Sequence, residues 1–279
     1  MNINLFDYHL PLELVAQHPE EKRDHSRLLV VNKKQQTYED KHFFDMIDYL
    51  RPGDVLVRNN TRVIPARLYG RKIPTGAKIE VLLLKEKEAD VWEVLIGNAK
   101  AVRVGTQIEF SDELKAECLE KHGEGIHLVR FEYHGIFIEI LERIGHAPLP
   151  PYIKDDEAQY SKYQTVYAKI NGSAAAPTAG FHFTEELLQQ LIKKGIEIVD
   201  VTLHVGLGTF RPVSVEDTSQ HVMHHESYVI DESAAMRLNK AKEEGRRIIA
   251  VGTTSTRTLE ANMAKNGRFV AESDSTNLF

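Results

Sequence analysis

Two segments of this chain carry side chains whose types and spacing could do chemistry. The first is 204–212, in which His204 precedes Gly206, Gly208 and Thr209. An imidazole can act as a general base near neutral pH, and glycines let a ligand approach the backbone closely. A single histidine at such a place can equally be a structural hydrogen-bonding residue. The two glycines form only part of a dinucleotide fingerprint, because the third glycine is missing.

The second segment is 252–260, which combines hydroxyl groups with one cation and one carboxylate. Arg257 can bind a carboxylate through two parallel hydrogen bonds, and Glu260 can face a cation. We interpret the segment as a turn that follows a strand and binds a ribose or a carboxylate. The alternative is a solvated turn whose hydroxyls cap the next helix. The hydroxyls nominated for ligand binding are those of Thr253, Thr254 and Ser255.

A stretch of small residues, 172–180, precedes a predicted helix. Seven of its nine residues are Gly, Ala or Ser, so main-chain N–H groups there are open to close approach. Thr184 is a good helix N-cap, and the apolar spacing over 184–194 predicts an amphipathic helix. We expect a binding loop that includes Gly180 and brings His182, a second candidate base, to the site. Close packing of the loop against a sheet is the alternative.

A histidine cluster at 221–226 offers a spacing that could bind zinc from one face of a helix. The cluster contains His221, His224, His225 and Glu226. A helix is disfavoured there because β-like residues follow, and the segment has no His-Glu-x-x-His arrangement. We therefore predict no metal.

Basic side chains are concentrated between Asp54 and Glu80, although the whole chain has a net charge of −6. The negative balance argues against non-specific nucleic-acid binding by the protein as a whole, so any RNA contact must use a local patch. Such a patch could follow a phosphate backbone, whereas charge on exposed strands often only solvates them. The candidates for binding RNA are Arg58, Arg62, Arg67, Arg71 and Lys72.

The pattern of apolar residues predicts where these side chains are positioned. Over 1–60 and 150–279, helix-like and strand-like runs alternate, which is typical of an α/β domain whose largely parallel sheet binds ligands at the carboxyl ends of its strands. Between them, 61–149 contains short strand-like runs separated by turns, which favours an antiparallel β-barrel. We predict an α/β domain built from both ends of the chain, with an inserted barrel domain. Strands are expected at 28–31 (buried), 55–57, 63–69, 77–84, 91–96, 107–110, 126–133, 136–141, 196–203 and 247–251, and helices at 43–50, 184–194 and 233–244.

Cysteine content and hydropathy indicate the compartment in which the protein is expected to act. Cys118 is the only cysteine, so no disulfide can form within the chain, which fits a reducing compartment. The amino terminus has neither a basic start nor an apolar run, and no apolar run is long enough to span a bilayer. We predict a soluble, cytoplasmic, monomeric protein with no membrane partner.

Eight motifs spread along nearly the whole chain are long enough to be specific. They read FDYHLP (6–11), RDHSRL (23–28), NNTRVIPAR (59–67), LPPYI (149–153), YQTVYA (163–168), GSAAAPTAGFHFT (172–184), TLHVGLGTF (202–210) and VGTTSTRTLE (251–260). In this order they resemble the S-adenosylmethionine:tRNA ribosyltransferase-isomerase family of queuosine biosynthesis. Phe181 stands where that family usually has Leu. The family continues beyond Phe279, so we expect its carboxyl-terminal segment to be missing here.

The resemblance implies the reaction. The ribosyl part of S-adenosylmethionine is transferred to 7-aminomethyl-7-deazaguanine (preQ1) at the tRNA wobble position and isomerised. This gives epoxyqueuosine and releases adenine and methionine. S-adenosylmethionine is then a consumed co-substrate, and no cofactor is expected. The chemistry requires a base beside C5′, for which His204 is the first candidate and His182 the second, and a cation for the methionine carboxylate, for which Arg257 is the candidate.

Hypotheses from two other classes remain open at this point. A non-catalytic tRNA-binding module is one, and it would bind tRNA without releasing adenine. A metal-dependent hydrolase is the other, and it would use His182, His204, His221, His224 and Glu226.

Overall fold

The computed structural model describes residues 1–149, 153, 163–206, 215–221, 223 and 225–278. The chain divides into two compact units. One, called here the sheet unit, comprises Met1–Arg62, Tyr152–Ile170 and Ala176–Phe279. The other, the barrel unit, comprises Val63–Pro151 and Asn171–Ala175. The domain bounds drawn from the sequence, 1–60 with 150–279 and 61–149, stay a prediction about how the protein is organised.

The described residues form strands and α-helices that we number in chain order. The strands are β1 (Arg27–Asn32), β2 (Thr37–His42), β3 (Val55–Asn59), β4 (Thr61–Val63), β5 (Arg67–Ile73), β6 (Lys78–Glu88), β7 (Val91–Ile96), β8 (Gln107–Ser111), β9 (Leu114–Lys121), β10 (Ile126–Tyr133), β11 (Ile170–Ser173), β12 (Glu197–Leu203), β13 (Glu226–Ile230), β14 (Ile248–Ala250) and β15 (Glu272–Thr276). The helices are α1 (Met46–Tyr49), α2 (Phe137–Ile144), α3 (Glu185–Lys193), α4 (Glu232–Glu243) and α5 (Gly252–Asn266).

The sheet unit is organised around a five-stranded sheet with the order β14-β3-β12-β13-β15. The first three strands are parallel to one another, whereas β13 runs antiparallel to β12 and β15 antiparallel to β13. The expectation of a largely parallel sheet is therefore wrong in degree, because the sheet is mixed. That expectation was based on the alternation of helices and strands along the chain. Strands β13 and β15 pair antiparallel to their neighbours, which the alternation does not predict.

Helix α3 forms as its sequence predicts and packs against one face of β3. The Thr184 hydroxyl accepts a hydrogen bond from the backbone N–H of Leu187 at 3.1 Å, which satisfies one of the open donors at the helix start. Leu187, Leu188 and Leu191 pack with Leu56 of β3 in a buried cluster. Side chains alternate along a strand, so Val55 and Val57 lie on the opposite face, where α5 contacts β3.

The barrel unit is a closed antiparallel barrel with the strand order β10-β7-β6-β5-β8-β9, which confirms the predicted barrel. Inward side chains alternate with outward ones, as in β9, where Leu114, Ala116 and Cys118 are buried. Burial raises the pKa of the Cys118 thiol. The sequence prediction missed β9, although its apolar residues alternate with charged ones as in a half-buried strand.

Three local expectations are wrong. The run 136–141 was expected as a strand but lies mostly in α2, whose spacing places Ile140 and Leu141 on one buried side. The run 28–31 is a strand but not a buried one, because β1 pairs only with β2 in a two-stranded sheet that leaves Leu29 59% exposed. The segment 252–260 is not a turn, since α5 begins at Gly252.

Candidate active site at the carboxyl ends of the parallel strands

The carboxyl ends of β3 and β12 are joined by one buried side chain, Asn59. Its Oδ1 accepts hydrogen bonds from the backbone N–H groups of Leu203 (3.0 Å) and Thr61 (3.1 Å), and its Nδ2 donates to the Leu203 carbonyl (2.9 Å). Asn59 is 1% exposed, so these three bonds replace the water that the amide loses on folding. The two strand ends are thereby held together where Thr61 and His204 begin.

The imidazole of His204 is oriented by Thr61. Nδ1 lies 2.9 Å from Thr61 Oγ1, and that hydroxyl donates to the carbonyl of Ile170 over a long 3.5 Å. We assign the ring proton to Nδ1, because a hydroxyl that donates to a carbonyl still offers a lone pair as acceptor. The second ring nitrogen, Nε2, then carries a lone pair. Burial lowers the pKa of His204, so the ring is neutral near pH 7, as a general base requires.

Gly180 approaches Thr165 and Tyr167 so closely that no side chain fits at this position. A Cβ on Gly180 would overlap the Tyr167 hydroxyl and would lie 2.7 Å from Thr165 Cγ2. At Gly180 the close approach is thus made by the chain itself, as the packing alternative supposed. The hydroxyl oxygens of Thr165 and Tyr167 are buried, and neither has a hydrogen-bond partner within the described part of the chain.

Arg58 belongs to this cluster. Its guanidinium carbon lies 4.2 Å from the centroid of the Tyr167 ring, within the range of a cation–π contact. Its Nε donates to Asp200 Oδ1 at 2.6 Å, and its side chain is only 15% exposed. Burial raises the pKa of the Tyr167 hydroxyl, which keeps it protonated and able to donate. The sequence predicted Arg58 as part of the RNA-binding patch. It gave no indication of Tyr167 and Asp200, because their contacts with Arg58 depend on the fold.

His182, the second candidate base, is positioned by aromatic packing and by the motif at 23–28. Its ring centroid lies 5.2 Å from that of Phe43. Burial lowers the pKa of His182, and a hydrogen bond with the backbone of Arg23 opposes this effect. The Arg23 guanidinium donates to the carbonyls of Gln164 (2.8 Å) and Phe181 (3.3 Å), which holds the 3₁₀ helix Thr178–His182 in place. Arg23 belongs to the motif at 23–28, and nothing in the sequence alone indicates this contact.

The guanidinium of Arg257, predicted to bind a ligand carboxylate, forms an ion pair with the carboxylate of Glu226 instead. Glu226 is 4% exposed and also accepts a hydrogen bond from the backbone N–H of Gly206 at 3.0 Å. The structure therefore brings Arg257 and Gly206 together through a carboxylate of the chain itself. Glu260, one turn along α5, is exposed. The sequence indicates Glu226 only as a candidate metal ligand, because its pairing with Arg257 depends on the fold.

The hydroxyls predicted to bind a ligand, those of Thr253, Thr254 and Ser255, lie in the first turn of α5, close to the 3₁₀ helix Thr178–His182. Gly252 has φ +78°, and a Cβ added there would lie 2.9 Å from the Cβ of Ala179. Thr253 is exposed. The hydroxyls of Thr254 and Ser255 are buried and have no hydrogen-bond partner among the residues that the structure describes.

The remaining RNA-binding candidates are divided between the two units. Arg62, in the sheet unit, is exposed. In the barrel unit, Arg67 Nε lies 3.3 Å from Glu80 Oε1, and Lys72 Nζ donates to the Ala101 carbonyl at 2.8 Å. Arg71 is exposed. Two substrate-binding candidates, Gly208 and Thr209, lie outside the described residues.

A metal site was predicted to be absent from the histidine cluster. Over the described ranges, no three His, Cys, Asp or Glu side chains are grouped so that they could hold a metal ion. His221 and His225 lie outside any helix, and His224 lies outside the described residues.

Comparison with known proteins identifies the family. The model of the family described as "Queuosine biosynthesis protein" matches residues 3–279. The chain belongs to this queuosine biosynthesis family. The resemblance predicted from the eight motifs is confirmed, and with it the assignment of the chain as an enzyme of tRNA modification. The chain is also similar to a solved structure of S-adenosylmethionine tRNA ribosyltransferase from Thermotoga maritima. The identity is 34% and the TM-score 0.47, and the match covers 98% of this chain and 78% of that chain.

The lengths and hydropathy of the helices bear on whether the chain could span a membrane. Within the described ranges, no helix has both the length and the apolar character needed to cross a membrane.

Proposed function

We propose that this protein transfers and isomerises the ribosyl moiety of S-adenosylmethionine onto preQ1 at the wobble position of tRNA. The products are epoxyqueuosine in the tRNA, adenine and methionine. Family membership over residues 3–279 supports the pathway, and the observation that supports the chemistry is the neutral, oriented imidazole of His204. We further propose that the protein acts in the cytoplasm as a monomer, and that S-adenosylmethionine is consumed without any other cofactor.

In this proposal His204 removes a proton from C5′ of the co-substrate. The positive sulfonium beside C5′ makes those protons acidic, so a neutral imidazole is a strong enough base. The hydrogen bond between Nδ1 and Thr61 Oγ1 (2.9 Å) directs Nε2 to the substrate. When Nε2 takes the proton, the positive charge on the ring is stabilised by the Thr61 hydroxyl, whose oxygen accepts from Nδ1. Burial lowers the pKa of His182 as well, but its ring is held by the Arg23 backbone, so we place it second.

The substrate-binding groups are polar and mostly uncharged. Gly206 and the first turn of α5 lie at the same edge of the sheet as His204, because they follow β12 and β14, the two parallel strands that flank β3. Thr253 is exposed and is assigned to the ribose hydroxyls. The ion pair between Arg257 and Glu226 fixes the position of the Gly206 N–H, so we assign Arg257 a positioning role.

Binding of the tRNA backbone is assigned to exposed arginines. Arg62 is exposed and lies in β4, next to Thr61 of the site. We expect Arg62→Ala to raise KM for tRNA and to reduce the slope of log Kd against log salt by about one, since one phosphate contact is lost. Arg268→Ala, which removes an equally exposed charge from the same unit, is the matched control. An unchanged salt slope in Arg62→Ala would exclude this contact.

The experiment that tests the proposed function is a turnover assay. The protein is incubated with S-adenosylmethionine and tRNA that carries preQ1, and mass spectrometry is used to detect adenine and the modified nucleoside. Both products must appear together, in equal amounts. Tight tRNA binding with no adenine would instead identify a binding module.

A further inference from the structure

The first turn of α5 differs from the starts of α3 and α4, the other two helices of at least nine residues in the part of the chain that the structure describes. Helices α3 and α4 are capped by side chains, since Thr184 accepts from Leu187 N–H and Asp231 accepts from Ala234 N–H. Helix α5 is 15 residues long, but its N-cap residue, Val251, provides no side-chain cap, and its first turn holds no acidic residue. The open N–H groups at a helix start carry the positive end of the helix dipole. This end of α5 therefore has donors that no side chain of the helix start satisfies.

A second observation comes from the hydroxyl groups of α5. Thr256 and Thr258 donate to carbonyls one turn earlier, at 3.1 and 3.0 Å, so the helix itself satisfies them. Thr254 and Ser255 make no such bond, and their buried hydroxyls have no partner among the described residues. Ser255 is 0% exposed. Leaving a buried hydroxyl unpaired costs about 1–3 kcal/mol, so two adjacent ones are unusual in a packed helix.

The direction of these two side chains follows from helix geometry. Every Cα–Cβ bond in an α-helix tilts toward the amino-terminal end, so a side chain covers the turn before its own Cα. The hydroxyls of Thr254 and Ser255 are therefore directed at the first turn, where the open N–H groups lie. The turn starts directly after β14, because the Val251 N–H still bonds to the Val57 carbonyl of β3 at 2.8 Å. The place is the carboxyl edge of the parallel strands, where His204 also lies.

Such a set of donors, all neutral, matches an anionic oxygen group. Arg257, the cation predicted for the methionine carboxylate, is already paired with the buried Glu226. We propose that the first turn of α5 binds the carboxylate of S-adenosylmethionine, with the backbone N–H groups and the hydroxyls of Thr254 and Ser255 as donors. This inference rests on the proposed function, because it assigns one group of the proposed co-substrate. A phosphate of the tRNA presents the same chemistry and is the other source to be distinguished.

The test compares two ligands that differ only in this group. Dissociation constants for S-adenosylmethionine and for decarboxylated S-adenosylmethionine are measured by calorimetry without tRNA. They are measured for the wild-type protein, for the double variant Thr254→Val/Ser255→Ala, and for Thr258→Val. Thr258 is equally buried, but its hydroxyl is satisfied within the helix, so Thr258→Val is the matched control. We expect the double variant to lose about tenfold or more in affinity for S-adenosylmethionine, since bonds to a charged group are lost. Its affinity for the decarboxylated ligand, and both affinities of Thr258→Val, should stay at the wild-type values.

Other results would overturn the proposal. Equal weakening of both ligands in the double variant would assign the hydroxyls to a different part of the co-substrate. Unchanged binding of both ligands, together with weaker binding of tRNA, would assign the turn to a phosphate. A wild-type protein that binds both ligands equally and still releases adenine would refute the carboxylate site and leave the proposed function intact. A wild-type protein that releases no adenine from S-adenosylmethionine in the presence of preQ1-bearing tRNA would refute the proposed function itself. Urea unfolding midpoints of the variants show whether a loss of affinity reflects a loss of folded protein.

Discussion

The two halves of the five-stranded sheet differ in how many of their buried polar side chains are hydrogen-bonded. Beside the antiparallel strands β13 and β15, Glu272 accepts hydrogen bonds from the Tyr228 hydroxyl (2.7 Å) and from Asn262 Nδ2 (2.6 Å), and it forms an ion pair with Lys265 (2.8 Å). Around the carboxyl ends of the parallel strands, by contrast, several buried hydroxyls are unpaired among the described residues. They are those of Thr165, Tyr167, Thr254 and Ser255.

This difference separates groups that hold the fold from groups kept for a ligand. A buried polar group that is fully bonded contributes to stability, whereas an unpaired one lowers stability until a partner arrives. We therefore expect loss of a fully bonded buried side chain to change the free energy of unfolding. Loss of one of the unpaired hydroxyls should instead change binding and turnover.

The largest effect is expected at His204. His204→Ala should lower kcat by about 10²- to 10⁴-fold while S-adenosylmethionine still binds, because the general base is removed and the binding groups are kept. Burial lowers the pKa of His204 below its usual value of 6.5, so the acid limb of kcat/KM in the wild-type protein should lie below pH 6.5. Single-turnover kinetics across pH measure both quantities. Near-normal turnover in the variant would transfer the role to His182.

The next effect is expected at Glu226, on the antiparallel side of the boundary. Glu226→Gln leaves the Arg257 charge without a partner in a buried place, which should lower the free energy of unfolding by about 3 kcal/mol. Glu226→Gln should therefore lose stability, whereas His204→Ala should lose turnover and retain most of the wild-type stability. Urea unfolding of both proteins makes the comparison. A Glu226→Gln protein as stable as the wild type would show that this pair contributes no stability.

A smaller effect is expected at Gly180. Gly180→Ala forces a Cβ against the Tyr167 hydroxyl and the Thr165 methyl group, which should lower stability by about 1–3 kcal/mol. The double variant Gly180→Ala/Tyr167→Phe should recover part of this loss, because the closest atom has been removed. Gly123→Ala, where the added Cβ meets nothing within 4 Å, is the matched control. Additive losses in the double variant would contradict the assigned contact.

The smallest effect is expected at Lys265. Its ammonium bridges Glu272 and Asp274, and these carboxylates raise its pKa, but the side chain is 52% exposed. Solvent screening weakens such a pair, so Lys265→Met should leave the urea midpoint almost unchanged and should not alter adenine release. A clear drop in the midpoint would show that the antiparallel half depends on its outer charges as well as on its buried bonds.

The sequence predicted those elements whose stability comes from local patterning. Helix α3 follows from Thr184 and the leucine spacing, and the barrel strands follow from alternation between turns. The prediction for 136–141 was wrong because a run of six mostly apolar residues fits a strand as well as a helix. Only packing against the barrel selects the helix. The antiparallel placement of β13 and β15 is a tertiary choice that no local pattern records.

For the site, the sequence indicated the right segments and could not supply the pairings. His204 and the hydroxyls of 253–255 follow strands β12 and β14, so their placement at one sheet edge could be expected. The partner of Arg257 could not be expected, because Glu226 is 31 residues away and lies on a strand whose position depends on the whole sheet. The same holds for Arg58, whose place over Tyr167 depends on contacts more than 100 residues apart in sequence.

The buried position of Cys118 gives this protein an experimental advantage. Its thiol is inside the barrel and 0% exposed, and its raised pKa keeps it largely in the unreactive thiol form. A cysteine introduced at Met236, which is 66% exposed on α4, would then be the only thiol that a maleimide dye can reach quickly. The native chain can be labelled at one chosen place without first removing a residue from its core. Fluorescence energy transfer to a dye on the tRNA could then follow arrival of the anticodon in real time.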